Sequence, residues 1–171
     1  MLSIRSEKPE DYQSIYRVNE LAFNGNVEAK LVNNLRKTKG FVPELSLVAI
    51  IDGEIVGHIL FSIIHVQAET INVPVLSLAP MAILPKYQKQ GIGSKLVREG
   101  LKKCKELKYK AVILVGHPNY YPRFGFSTAK EKGLKLPFEA PREAFMVYEI
   151  IPHALEGIKG LVIYPPEFAE E

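Results

Sequence analysis

The spacing of apolar residues along this chain changes several times, and each change marks an element. Between positions 88 and 107, Ile92, Leu96, Gly100, Cys104 and Leu107 recur at intervals of three and four, joined by Val97 and Leu101. That spacing predicts a helix with one apolar face. Just before it, Val75 to Leu84 is apolar almost throughout and closed by Pro85, which predicts a buried strand over about 73–84. Pro80 inside that run cannot donate a ladder hydrogen bond, so a bulge is expected there. Asp52-Gly53, flanked by Leu47 to Ile51 and Glu54 to Phe61, predicts a β-hairpin. Upstream, residues 2–6 predict a short strand, and Lys8-Pro9-Glu10-Asp11 opens a helix with Ile15, Val18, Leu21 and Ala22 on its face. Asn24-Gly25-Asn26 breaks that helix, and a second one over 27–37 uses Ala29, Leu31, Val32 and Leu35. Downstream come a strand at 111–115, a short helix around 118–124 and a last strand at about 144–151. The tail, with Pro165-Pro166 and the acidic Glu170-Glu171, reads as a segment draped on the surface.

The junction between the 73–84 strand and the helix carries the candidate chemistry. Gln88-Lys89-Gln90-Gly91-Ile92-Gly93-Ser94 stands where first-turn N–H groups lack intrahelical partners and the helix dipole is positive, and glycines let a bulky anion approach closely. Diphosphate fits such a place. A Walker loop requires a second glycine followed by Lys and Ser or Thr, but Gly93 is followed by Ser94 and then Lys95. A dinucleotide fingerprint fails as well, because position 96 is Leu and no acidic residue closes the strand at 111–115. What remains is Gln, two residues, Gly, one residue, Gly, met by Gln88, Gly91 and Gly93. In this the chain resembles the GNAT superfamily of acyl-CoA-dependent N-acetyltransferases.

A second element supports the resemblance. Gly116-His117-Pro118-Asn119-Tyr120-Tyr121-Pro122-Arg123-Phe124-Gly125-Phe126 looks like the superfamily's Tyr-x-x-x-Gly-Phe, with Tyr121 four residues before the glycine. The doubled tyrosine, Arg-Phe-Gly-Phe and the tail Phe145 to Ile150 look most like the YhbS-like branch of predicted acetyltransferases. That branch has Gly-Asp-Pro where this chain has Gly116-His117-Pro118. The resemblance covers residues 1–151, a single GNAT domain, and residues 152–171 are expected as a C-terminal extension packed on it. It implies an α/β (α+β) fold, a mixed and mostly antiparallel sheet with helices on both faces.

The resemblance also implies roles. Acetyl-CoA is the expected cosubstrate, its diphosphate held by the amides of Gln88, Lys89, Gln90, Gly91, Ile92, Gly93 and Ser94. Its pantetheine arm would pair with the backbone of Met81, Ala82 and Ile83. Tyr121 is the expected general acid to the departing CoA thiolate in transfer to a primary amine, while Tyr120 packs. The amine acceptor, small molecule or protein, is not legible, and His58, His65, His117, Glu44 and Glu69 stand as undistinguished choices for a base. The alternative is a non-catalytic acyl-CoA-binding sensor or regulatory subunit. No metal is expected.

Composition narrows this further. With 171 residues, 47% of them hydrophobic, the chain has the length of one domain with a full core. Twenty-two basic against 19 acidic residues leave +3, too small an excess for a nucleic-acid partner. The basic strip Lys95, Arg98, Lys102, Lys103, Lys105, Lys108 and Lys110 lacks interleaved aromatics and reads as a solvated helix face. Cys104 is the single cysteine, on the apolar helix face, and reads as a buried thiol in a reducing compartment. Early charges and the lack of a long apolar run point to a cytoplasmic protein without membrane contact, either monomer or homodimer.

Overall fold

Helix and strand ends follow local backbone chemistry. The computed structural model describes residues 1–169; Glu170 and Glu171, assigned above to the tail, lie outside the described residues. In chain order the elements are β1 (Leu2–Ser6), α1 (Tyr12–Phe23), α2 (Val27–Leu35), β2 (Phe41–Ile51), β3 (Glu54–Ala68), β4 (Asn72–Ile83), α3 (Ile92–Glu106), β5 (Ala111–Val115), β6 (Ser127–Thr128), β7 (Leu134–Lys135), β8 (Phe145–Glu149) and β9 (Gly160–Ile163). Among the described residues the strands run in the order β1-β2-β3-β4-β5-β8-β6, and β9 pairs with β3 and β7. The pairs β1–β2, β2–β3, β3–β9, β5–β8 and β6–β8 are antiparallel, and β4–β5 and β7–β9 are parallel. The expected mixed, mostly antiparallel sheet of an α/β fold is what forms. Two compact units divide the described residues: residues 1–62 with 79–103 and 166–169, and residues 63–78 with 104–165.

In the first unit, α1 stops because Asn24 takes a left-handed φ of 52° and its N–H bonds the Glu20 carbonyl. The hairpin turns on Asp52 and Gly53, at φ 49° and 79°, the paired positive values a two-residue turn requires. Both arms are longer than their alternation suggested. Ile15, Val32, Leu35, Val48 and Leu60 form a buried cluster, and Phe168 of the tail packs against it. The tail is therefore not simply draped on the surface. Leu21 is 44% exposed and stands off the α1 face. Gly100 occupies the interior of α3, where glycine costs roughly 1 kcal/mol against alanine. The Phe61 ring fills the place its Cβ would take, which is the reason for a glycine there.

The same unit buries a polar chain drawn from residues distant in sequence. Arg36 clasps the Glu7 carboxylate through Nε at 2.9 Å and Nη2 at 3.0 Å, and the Ser46 hydroxyl donates to the same carboxylate. With its proton so committed, the Ser46 oxygen accepts from Nε2 of His58 at 2.9 Å, and Nδ1 accepts from the Asn19 amide at 3.2 Å. Both imidazole nitrogens thereby have their roles set for the neutral ring. Burial, with Arg36 adding, pushes the His58 pKa down to about 3. A folded-state value below the unfolded one contributes stability above the unfolded pKa of about 6.5 that is lost as pH falls. Between pH 6.5 and about 4 the wild-type melting temperature should therefore drop more steeply than that of His58→Gln. Parallel melting-temperature profiles would show that His58 is not held neutral.

In the second unit, β5 pairs with β8 over its whole length, Ala111 opposite Glu149 through Val115 opposite Phe145. Two of its residues, Val112 and Ile113, also pair with Leu76 and Ser77 of β4. Burial at Val73, Val75, Leu76 and Leu78 explains the largely apolar first half of β4. Residues 160–163, read from sequence as part of a surface tail, form β9 against His65–Ala68 of β3. The expected helix around 118–124 is only a 3-10 turn, Tyr121–Phe124, which Pro122 at its start and Gly125 at φ 102° confine. Cys104 is fully buried and its thiol is pushed up to about 12, so it is an inert packing residue.

Candidate functional site

The candidate anion cradle lies in the first unit and is a loop followed by a helix start, not one continuous helix. After the 3-10 turn Pro85–Tyr87, Gln88 is extended (φ −70°, ψ 156°). Lys89 and Gly91 then adopt left-handed φ values of 64° and 84°, and α3 begins at Ile92. The helix predicted over 88–107 is thus shorter at both ends: Leu107 is exposed beyond it and Lys108 turns left-handed at φ 66°. Periodicity misplaced the start because Gln88, Lys89 and Gln90 are acceptable helix formers whose backbone is set by Gly91. The Lys95 N–H bonds the Gly91 carbonyl at 3.2 Å, so the first turn of α3 spans Ile92, Gly93 and Ser94, at the positive end of the helix dipole.

The site's electrostatics suit an anion. No acidic residue stands in the first turn of α3, so nothing there repels one, and an added Cβ at Gly91 would meet nothing within 4 Å. Nε2 of Gln88 donates to the Ile83 carbonyl at 3.0 Å, and Nε2 of Gln90 donates to the Lys86 carbonyl at 3.2 Å. The first bond ties the loop to Met81, Ala82 and Ile83 at the end of β4, so two groups of residues named separately from sequence are joined. The sequence reading missed that side-chain bond. β4 runs without interruption through Pro80, and the Ala79–Pro80 peptide is cis.

Tyr121 belongs to the second unit and opens the 3-10 turn that follows β5. It is 9% exposed, and its ring meets Tyr120 edge-on at 5.0 Å, Phe126 at 5.8 Å and Phe124 at 6.3 Å between centroids. Burial, with Tyr120 adding, pushes its phenol up to about 12, so the O–H is protonated throughout the neutral range. The hydroxyl has no hydrogen-bond partner among the described residues. Tyr120 packs on Tyr121 and Phe124, and the Arg123 guanidinium covers its ring at 4.5 Å.

The residues considered as bases separate clearly. His58 is fully buried in the polar chain and is removed from consideration. Glu44, Glu69 and His117 are exposed, and His65 is half-buried on β3. Among the described residues there is no group of three or more His, Cys, Asp or Glu able to hold a metal ion, and no helix long and apolar enough to cross a membrane.

Known proteins give an independent measure. Residues 12–126 match the Acetyltransferase (GNAT) family. The chain is 39% identical over 166 residues to the uncharacterized N-acetyltransferase YhbS of Escherichia coli K12, a match that covers 96% of this chain and 97% of that protein. It is 37% identical over 134 residues to the uncharacterized N-acetyltransferase YjhQ of the same organism, covering 78% and 74%. Among solved structures, YhbS from Escherichia coli in complex with CoA superposes with a TM-score of 0.90 at 34% identity, covering 99% of this chain and 92% of that one. A GNAT acetyltransferase from Brucella melitensis in complex with acetyl-CoA superposes with a TM-score of 0.80 at 31% identity, covering 98% of each.

Proposed function

The chain belongs to the GNAT family of acetyltransferases and is an acetyl-CoA-dependent N-acetyltransferase, and from that premise we propose direct transfer of the acetyl group to a primary amine with Tyr121 as general acid. The amine nitrogen attacks the thioester carbonyl carbon, forming the C–N bond and a tetrahedral intermediate. Collapse breaks the C–S bond, the sulfur leaves with the electron pair, and the Tyr121 O–H supplies a proton to it. The surplus proton of the amine passes to solvent, which also returns one to the phenolate.

One observation carries this assignment: a buried phenol directly after β5, its ring held edge-on by Tyr120 and Phe126, whose O–H burial keeps protonated across the neutral range. A thiol is the stronger acid in water, with a pKa of about 8.5. The phenol therefore first stabilises developing charge on sulfur as a hydrogen-bond donor, and desolvation of the thiolate narrows the difference before the proton moves. Donation aimed at charge that exists only as the bond breaks accelerates the chemical step without tightening ground-state binding.

For acetyl-CoA itself, the amides of Gln88–Ser94 are the proposed diphosphate cradle, and the backbone of Met81, Ala82 and Ile83 the proposed partner of the pantetheine arm. The loop geometry and the absence of acidic residues at the start of α3 support the cradle, and the bond from Gln88 to the Ile83 carbonyl ties that loop to the end of β4. Acetyl-CoA at ~100 times its dissociation constant should stabilise the fold by about 2.7 kcal/mol. NAD and NADP at equal concentration should not, and a thermal-shift series in which they match acetyl-CoA would overturn the assignment of the cradle.

A further inference from the structure

Gly116 is half-buried immediately after β5, and its N–H donates to the Ala144 carbonyl at 2.9 Å. Its φ lies outside the left-handed region, so a residue with a side chain would meet no backbone strain there. Sterics alone exclude one. A Cβ at position 116 would lie 2.7 Å from Cε2 and 3.2 Å from Cδ2 of Tyr121, and 3.4 Å from Cδ1 of Leu114. The Cδ2–Cε2 side of the Tyr121 ring therefore rests against the bare Cα side of Gly116.

The ring has little room to retreat. Tyr120 stands edge-on at 5.0 Å and 84°, and Phe126 at 5.8 Å and 70°, while Phe124 closes a further side. The backbone is held as well, because the N–H groups of Tyr120 and Tyr121 both point to the His117 carbonyl, at 3.1 and 3.5 Å. Gly116 thus bounds the ring of Tyr121, and the His117 carbonyl holds the backbone that carries it. We propose that Gly116 is a positioning residue for Tyr121: its missing side chain leaves the slot that fixes where the phenol O–H points. The inference rests on Tyr121 being the proton donor. Misplacing a reacting group by about 1 Å costs up to 10²-fold in rate, so one methyl group at this position is enough to be read in kinetics.

The test is a double-mutant cycle on the intact protein, following CoA thiol release from acetyl-CoA with the best acceptor from a panel of primary amines. Gly116→Ala should lower kcat by about 10-fold or more and leave the acetyl-CoA dissociation constant within about twofold. In a Tyr121→Phe background the same alanine should cost less than about twofold, because the group it displaces is already absent. Gly25→Ala, whose Cβ would meet only the Phe23 carbonyl at 4.0 Å, is the control and should match wild type. If Gly116→Ala does not fold, Phe126→Leu removes another of the contacts that hold the Tyr121 ring and is read the same way. A full-rate Gly116→Ala enzyme, or an equal loss with and without the Tyr121 hydroxyl, overturns the proposal. Should Tyr121→Phe itself run at wild-type rate, the general-acid reading falls and the positioning role with it; a slow Tyr121→Phe beside a full-rate Gly116→Ala removes only the positioning role.

Discussion

Tyr121→Phe is expected to lower kcat by about 10²–10⁴-fold, the range over which a positioned proton donor acts, with acetyl-CoA affinity little changed. The substitution deletes one oxygen and preserves the ring, so the edge-on contacts with Tyr120 and Phe126 survive. Because the hydroxyl has no partner among the described residues, its loss leaves no buried group unsatisfied, and the melting temperature should stay close to that of wild type. A loss confined to kcat is the signature of an interaction made only in the transition state. Tyr120→Phe is the internal control, since that ring packs on its neighbours and beneath Arg123, and its loss should be smaller. Equal small losses would make Tyr121 a packing residue, and a larger loss at Tyr120 would transfer the role to it.

Elements whose cause is local were legible from sequence. The hairpin could be read because Asp52 and Gly53 tolerate the positive φ that its turn needs, and α3 because three- and four-residue spacing survives over four turns. β9 could not. Leu161, Val162 and Ile163 are all apolar although only Val162 is buried, so the sequence shows no polar–apolar alternation to mark a strand. It is extended because β3 offers His65–Ala68 as a partner, nearly a hundred residues earlier in the chain. The two-residue strands β6 and β7 have the same non-local origin.

The site divides along the same line. Gln88, Gly91, Gly93 and Tyr121 stand in short motifs and were named from spacing and resemblance, whereas the backbone between them was not. Lys89 at φ 64° makes the loop what it is, and no hydrophobic pattern encodes a left-handed lysine. Glu7, Arg36, Ser46 and His58 meet across separations of up to 39 residues, which is why His58 looked like a possible base until its burial was known. Gly116 carried no signal of its own. Its meaning depends on where a ring five residues later comes to rest.

Gly93→Val should raise the CoA dissociation constant by about 10- to 100-fold, the effect of losing or stretching one charge-assisted hydrogen bond of roughly 1.5–3 kcal/mol. Its backbone is already helical, in the first turn of α3, so the valine costs little conformationally, and glycine is itself the poorer helix former. Gly91→Val is expected to weaken CoA binding too, but it is the less clean variant: at φ 84° a β-branched residue adds strain of about 1–3 kcal/mol whatever space surrounds it. Measuring both properties separates the effects, with isothermal titration giving CoA affinity and thermal melting giving stability. Gly93→Val should lose affinity at nearly constant melting temperature, and Gly91→Val should lose both. A Gly93→Val protein that binds CoA as tightly as wild type would place the diphosphate somewhere other than the first turn of α3.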